Sequence, residues 1–288
     1  MVKWFKQGSY DLSKVGTKEE VEDQKRWRLR VRAEGGMVDS ASQLFFVDET
    51  GCNRHTLRRT HGYSKKGTTC RAKQGSFGTD KGVNNSVIIA LSRSSVLAHE
   101  ILVGDVKSTS KRKRGTKRVD FCHFLKTKVA QAMLDSADAS GVDPLAPLFL
   151  IMDNASNHKG AVVSDALRSV SHRLHVAYQP PYMPTVHPTE LVNHQLKSKL
   201  KAAAIDALVA DICLPQHSMQ SGGVNDHLGG VSTYKSTLNL PVDLRANLSS
   251  FQSLNCADSS RVLKQLISHI LQNEIHSTSA YYKHCGWH

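Results

Sequence analysis

The sequence predicts a mixed α/β protein, in which helices flank a sheet and a helical extension follows at the C-terminal end. Two short, continuously apolar runs, `LFFVD` (44–48) and `LFLIMD` (148–153), are typical of strands at the buried centre of a sheet. Strand-like segments come first along the chain and then alternate with helical segments, which indicates a mixed sheet. The apolar periodicity of `SSRVLKQLISHILQNEI` (259–275) predicts the final amphipathic helix.

The N-terminal part begins with a charged helix and continues into the sheet. Residues 17–34 predict a helix in which Thr17 is the N-cap and Glu20 completes a capping box. The run `QLFFVDETG` predicts the first strand. The basic segment 54–73 and `NNSVIIALS` (84–92) are interpreted as the strands that follow, with glycines marking the turns.

The second half alternates strands and helices. In order, we predict a helix at 120–139, a strand at 147–154, a helix near 160–170, a strand at 173–179, a helix at 188–210 and a Gly/Ser/Asn-rich mobile connection at 215–241. The chain is accordingly divided into an N-terminal helical segment (1–40), a core (41–210), and a flexible connection with the C-terminal helix (211–288).

Composition excludes several classes of protein. The 288 residues contain no apolar run near the length of a membrane helix, and the N-terminus lacks the apolar stretch of a secretory signal. We therefore expect a soluble, intracellular protein that is not secreted. The six cysteines form no CxxC pair, which disfavours a zinc module or a disulfide framework. The terminal `HCGWH` is interpreted as a chain end rather than a metal site.

The net charge of +13 is concentrated in two blocks. Residues 54–73 and 107–118 each carry seven Lys or Arg residues and no acid, so the rest of the chain is nearly neutral. Such blocks predict a surface that binds a polyanion, and nucleic acid is the favoured partner. The candidate DNA-binding residues are Arg58, Arg59, Lys65, Lys66, Lys111, Arg112, Lys113, Arg114, Lys197 and Lys201. Residues 111–114, `KRKR`, are equally compatible with a nuclear localisation signal.

Each of the two apolar strands ends on an aspartate. If the strands are neighbours in one sheet, Asp48 and Asp153 lie close together, where α/β sheets place their sites. Two ionised carboxylates repel each other, so either one takes a proton or a divalent cation neutralises both. Side chains alternate across a strand, so Glu49 points away from Asp48 and is expected to be structural or exposed.

A third carboxylate lies in the first turn of the predicted helix at 188–210. Pro188 suits the first helical position, which makes Glu190 the third residue of that helix. A Glu in the first turn is stabilised in its ionised form by the helix dipole. An acidic first turn is also common on solvated helices, so Glu190 taken alone carries little weight.

Three segments in this order resemble the catalytic blocks of mariner-like DDE transposases. They are `FFVDETG`, `LIMDNASNHKG` and `PPYMPTVHPTELVNHQLKSKLK`, and the resemblance spans roughly residues 40 to 205. The basic `TLRRTHGYSKKG` is similar to a segment that the family carries between its first two blocks. The resemblance implies a ribonuclease H-like core in which three carboxylates coordinate magnesium.

Carried over by position, the resemblance makes Asp48, Asp153 and Glu190 the catalytic, metal-binding acids. Asn154 and His158 match the family's `DN…H` pattern, and we expect them either to orient a metal ligand or contact a phosphate, or to make strand-end and cap hydrogen bonds. The resemblance implies two Mg²⁺ (or Mn²⁺) ions as cofactors and double-stranded DNA as the partner, and a homodimer is one candidate assembly.

The sequence departs from the family at three points. His187 stands where the family usually has Asn before the proline, which predicts a weaker helix cap and a less firmly held Glu190. Asn193 stands where a Trp is common. Only 47 residues precede Asp48, too few for the family's paired helix-turn-helix modules. Either the chain is a truncated or mispredicted copy or its core has been taken into another role, and sequence-specific binding is poorly supported.

The leading hypothesis is a metal-dependent DNA endonuclease and strand-transfer enzyme. The main alternative is a domesticated or decayed DNA-binding protein without turnover, and a third is a ribonuclease H-like nuclease for RNA-containing substrates. In a eukaryote the protein is expected in the nucleus, and otherwise in the cytoplasm.

Overall fold

The computed structural model describes residues 22–23, 25–27, 41–57, 81–104, 116–179, 187–213, 238–249, 251, 254, 256–285 and 287. Residues 22–23 and 25–27 are helical, within the helix predicted at 17–34. The predicted cap of that helix, most of the basic segment 54–73, the `KRKR` block and most of the connection at 215–241 lie outside the described residues.

Five strands form one mixed sheet in the order β3-β2-β1-β4-β5. They are β1 (Leu44–Cys52), β2 (Asn85–Leu91), β3 (Val96–Val103), β4 (Leu148–Met152) and β5 (Leu174–Tyr178). The pairs β1–β2 and β2–β3 are antiparallel, whereas β1–β4 and β4–β5 are parallel. A meander followed by two parallel strands confirms the predicted mixed sheet of the ribonuclease H-like type.

The described helices flank this sheet. They are α1 (Arg118–Phe124), which continues through a π turn (Leu125–Val129) into α2 (Ala130–Ala139), then α3 (Ala161–Arg168), α4 (Pro188–Cys213), α5 (Val242–Ser249), α6 (Cys256–Asn273) and α7 (Ser279–His284). No helix in this part of the chain is long and apolar enough to cross a membrane.

Alternating side chains of the central strands pack into two hydrophobic clusters, one on each face of the sheet. Phe46 and Ile151 belong to the cluster that α4 and the C-terminal helices cover. Phe45 and Val47 belong to the opposite cluster, which contains Phe121 and the other buried residues of α1 to α3. The continuously apolar strands predicted from the sequence are therefore buried on both faces.

The C-terminal helices are part of the same core as the sheet. The hydroxyl of Tyr282, which is fully buried, donates to the carbonyl oxygens of Leu44 (3.0 Å) and Leu91 (3.2 Å). Lys199 of α4 forms an ion pair with Glu274 at 3.0 Å. These contacts fix α4, which carries Glu190, between the sheet and the last helices.

The structure departs from the predicted fold at four points. Strand β3 was not predicted, and Arg54–Leu57, assigned to a strand, forms a 3-10 helix. Strand β1 does not end at Asp48 but continues to Cys52, because β2 pairs with it along its whole second half. The short helices α5 and α7 were not predicted either.

Candidate active site

The parallel register of β1 and β4 brings two aspartates to the same level of the sheet. Phe46 pairs with Ile151, and Asp48 and Asp153 each lie two residues further along. Because side chains alternate, both aspartates project from the face that Phe46 and Ile151 occupy. The electrostatic coupling of Asp153 to Asp48 reflects this proximity.

Helix α4 brings Glu190 to the same place. The backbone N–H of Glu190 donates to the carbonyl of His187 at 3.2 Å, which starts the helix beside β1. Glu190 and Asp48 line one cleft of about 270 Å³. The other residues that line the cleft are Glu49, Thr50, Gly51, Asn193, His194 and Lys197.

The electrostatics of the cleft are those of crowded acids. Burial, followed by the charge of Glu190 and then that of Asp153, raises the pKa of Asp48 from 3.8 to about 8. Burial also raises the pKa of Glu190, which Lys197 opposes and Asp153 reinforces. The charge of Asp153 therefore acts on both Asp48 and Glu190, although Asp153 itself is not among the residues that line this cleft.

Asp153 differs from the other two acids because a histidine holds it. Nδ1 of His158 lies 2.5 Å from Oδ1 of Asp153, and the backbone N–H of Ala155 donates to the same oxygen at 3.0 Å. Burial works to raise the pKa of Asp153, but these hydrogen bonds outweigh it and the pKa falls below its ordinary value. Asp153 is thus kept ionised.

The imidazole of His158 bridges two carboxylates. Its Nε2 lies 3.2 Å from Oε1 of Glu49, which also accepts a hydrogen bond from Nδ2 of Asn157 at 2.9 Å. Burial opposes the charged ring, yet the bonds to Asp153 and Glu49 raise the pKa of His158 to about 9. His158 is therefore a buried cation that links the two faces of β1.

The environment of His158 leaves the ring little freedom. Phe121 stacks on it with ring centroids 4.3 Å apart, and the Tyr178 hydroxyl donates to its carbonyl at 2.9 Å. Asn154, the other residue of the predicted pair, donates from Nδ2 to the carbonyl of Gln179. Asn154 thus makes the strand-end hydrogen bond between β4 and β5, whereas His158 holds the acid.

Asn193 contacts Asp48 from α4, one turn beyond Glu190. Its Nδ2 donates to Oδ2 of Asp48 at 3.0 Å, and its side chain is 5% exposed. The position was noted in the sequence only because a Trp is common there. The structure instead places an amide against one of the candidate metal-binding carboxylates.

His187 is built into the start of α4 rather than left as a poor cap. The residue is buried, its ring packs edge-on against Phe46 at 5.1 Å, and Nδ1 hydrogen-bonds the Thr189 hydroxyl. Burial lowers the pKa of His187 to about 4, so the ring is neutral. Whether Glu190 is held less firmly than in the family stays a prediction.

The candidate DNA-binding residues fall into two groups. Lys197 lines the cleft next to Glu190, and Lys201 lies one turn further along α4, partly exposed. The others lie outside the described residues: Arg58, Arg59, Lys65, Lys66, Lys111, Arg112, Lys113 and Arg114.

The described ends of both basic blocks lie at this side of the fold. The backbone N–H of Arg54, just beyond the carboxyl end of β1, donates to the carbonyl of Lys81 at 3.2 Å. Nη2 of Arg118, four residues after `KRKR`, donates to the carbonyl of Ser156 at 2.6 Å in the loop that follows Asp153.

The donor chemistry of the cleft suits a hard divalent cation, although the site is not preformed. Asp48, Asp153 and Glu190 offer oxygen ligands, which Mg²⁺ and Mn²⁺ prefer. A bound cation would cancel the repulsion that contributes to the raised pKa of Asp48. Within the described ranges, however, no three His, Cys, Asp or Glu side chains form a group that could hold a metal ion as they stand.

Sequence reasoning missed Glu49 as a partner of the site. Strand alternation correctly places it on the face opposite Asp48, but His158 reaches across to it from the turn after β4. Asn157 and Asn193 were missed as well. For Glu49 and Asn157, the only signal in the sequence was the short spacing between Asp153 and the Asn157-His158 pair.

Comparison with known proteins identifies one family. The family described as DDE superfamily endonuclease matches residues 43–208, which is more than half of the chain. No curated protein matches.

Among solved structures, the chain resembles the Mos1 transposase catalytic domain with raltegravir and Mg (TM-score 0.46, 11% identity, covering 96% of this chain and 91% of that one). It also resembles the catalytic domain of Mos1 mariner transposase (TM-score 0.39, 10% identity, covering 98% of this chain and 99% of that one). A third similar structure is the Mos1 strand transfer complex (TM-score 0.45, 12% identity, covering 99% of this chain and 62% of that one).

Proposed function

Because the chain belongs to the DDE superfamily endonuclease family, we propose that it is a divalent-metal-dependent DNA endonuclease and strand-transfer enzyme of the transposase type. The observation that supports the proposal is the placement of Asp48 and Glu190 in one cleft, with Asp153 at the same level of the neighbouring strand and its charge acting on both. Their order along the chain is the order of the family's three catalytic acids.

In this proposal the three acids hold two Mg²⁺ or Mn²⁺ ions. When bound, such ions polarise the scissile phosphate, lower the pKa of the attacking water and stabilise the departing 3′-oxygen. The protein's own part is to fix the carboxylates: His158 keeps Asp153 ionised and oriented, and β1 carries Asp48 as a rigid support. The liberated 3′-hydroxyl would then attack a target phosphate and break that phosphate's bond to the 3′-oxygen of the target strand, which leaves as a new 3′-hydroxyl, so that two DNA strands are joined without a covalent protein intermediate.

The basic residues supply the path for the DNA backbone. Lys197 lies in the cleft beside Glu190, where an ammonium group can hold a phosphate next to the acids. The described ends of the two basic blocks lie at the carboxyl edge of β1 and β4, where Arg54 follows β1 and Arg118 donates to the carbonyl of Ser156 in the loop after β4.

The test of the proposed function is cleavage of supercoiled plasmid in Mg²⁺. Wild-type protein is expected to nick the plasmid, and Asp153→Ala is expected to abolish nicking while DNA binding persists. Asp165→Ala, an exposed aspartate on α3, is the matched control and should retain activity. If the wild type binds DNA but does not nick it, the chain is a non-catalytic DNA-binding protein.

A salt titration tests the basic path independently of catalysis. A protein with six to ten phosphate contacts loses affinity by roughly 10³ to 10⁵ between about 50 and 200 mM salt. Replacing Lys111, Arg112, Lys113 and Arg114 by alanine should make this dependence shallower. A slope that does not change with the replacement would assign the block to another role.

A further inference from the structure

Asn193 occupies a position in the cleft that neither the family resemblance nor the fold explains. It lies three residues after Glu190 on α4, so the two side chains share one face of the helix. Its Nδ2 donates to Oδ2 of Asp48 at 3.0 Å, and the residue lines the same cleft as Asp48 and Glu190. The amide therefore bridges the helix of one candidate ligand to the strand of another.

The carbonyl oxygen of the Asn193 side chain makes no hydrogen bond within the described residues. This atom, Oδ1, is buried. A buried polar atom without a partner destabilises a fold. An apolar side chain would pack here at lower cost, as the neighbouring Val192 and Leu196 do, both fully buried.

Asn193 lowers the stability of the fold through its unpartnered Oδ1 and yet hydrogen-bonds Asp48, which points to a role in the site. A carboxylate that binds a metal is commonly held by a hydrogen bond to one of its oxygens, because this restricts its rotation. The N–H of Asn193 makes such a bond to Oδ2, which restricts the rotation of the Asp48 carboxyl group. The neutral amide does so without adding charge to a crowded acidic cleft.

We propose that Asn193 is a positioning residue for Asp48, which holds the carboxylate in the orientation that binds the divalent cation. The inference rests on the proposed function, since it concerns the same cleft. It predicts that Asn193 favours metal binding at the expense of the stability of the metal-free fold.

The test is Asn193→Leu in the full chain, with Mn²⁺ as the probe. Leucine has a similar size and removes both the donor to Asp48 and the unpartnered oxygen. We expect Mn²⁺ affinity, measured by electron paramagnetic resonance, to fall roughly tenfold to a hundredfold. The melting temperature of the metal-free protein should stay unchanged or rise. Ser198→Ala, an exposed position on α4, is the control and should change neither quantity.

Two results would overturn the inference while leaving the proposed function intact. One is a wild-type Mn²⁺ affinity in Asn193→Leu. The other is a fall in affinity that is matched by a lower melting temperature of the metal-free protein, which would make Asn193 a structural residue. A wild-type chain that binds no Mn²⁺ would overturn the proposed function and this inference together.

Discussion

Nδ1 of His158 lies 2.5 Å from Oδ1 of Asp153, so a buried imidazolium is held directly against a candidate metal-binding carboxylate. The same ring reaches Glu49 through Nε2 at 3.2 Å. Glu49, His158 and Asp153 therefore form a chain of hydrogen bonds in which the ring of His158 joins Glu49, a residue that lines the cleft, to Asp153. The orientation of Asp153 therefore depends on His158, whose ring stacks on Phe121 on the opposite face of the sheet.

This chain of bonds predicts a role for Glu49 that its position alone does not suggest. Glu49→Ala should lower the rate of plasmid nicking roughly tenfold to a hundredfold, because His158 loses the acceptor that fixes its ring. Glu49→Gln keeps an acceptor oxygen and should retain most of the activity. The rates are to be compared under single-turnover conditions with equal DNA occupancy. Equal losses in both variants would show that the charge, not the hydrogen bond, matters.

The raised pKa of Asp48 predicts how the stability of the metal-free protein depends on pH. Asp48 titrates at 3.8 when unperturbed and at about 8 in the fold. Between these values the folded state binds a proton that the unfolded state has released, so the free energy of unfolding falls as the pH rises. Asp48→Asn cannot ionise and should be more stable than wild type by at least about 1 kcal/mol near pH 8, but not near pH 4.

The measurement is urea unfolding in a chelating buffer at both pH values. Asp165→Asn, on the exposed side of α3, should keep the wild-type pH dependence. If Asp48→Asn and wild type respond to pH in the same way, Asp48 does not carry the raised pKa.

The C-terminal helices are predicted to be necessary for the stability of the core. Tyr282→Phe removes the hydroxyl that donates to the carbonyls of Leu44 and Leu91, and should lower the free energy of unfolding by about 1–3 kcal/mol. Lys283→Ala, at the next, exposed position, should have little effect. Urea unfolding distinguishes the two, and equal stability of Tyr282→Phe and wild type would mean that this contact is dispensable.

The sequence was sufficient to predict the two central strands, β1 and β4. Continuous apolar runs that lead into an aspartate are a strong local signal, and the parallel register of β1 and β4 then sets Asp48 beside Asp153. Strand β3 escaped prediction because it is the half-exposed edge of the sheet, so its residues show neither a continuous apolar run nor a clear alternation.

The contacts that complete the site depend on the tertiary structure. Tyr282 meets Leu44 across 238 positions of the chain, and Asn193 meets Asp48 across 145. No local pattern encodes such a pair. His158 was selected through a family motif, but its bond to Glu49 follows from how the turn after β4 folds back over β1.

The central claim is that Asp48, Asp153 and Glu190 together bind a pair of divalent ions. Its most direct test is Mn²⁺ titration of the wild type and of Glu190→Gln, followed by electron paramagnetic resonance. We predict that the wild type binds two Mn²⁺ ions that are magnetically coupled at a separation of roughly 3.5–4 Å, and that Glu190→Gln loses the coupled pair. A wild type in which the bound Mn²⁺ ions are isolated from each other, or a Glu190→Gln spectrum identical to it, would contradict the account.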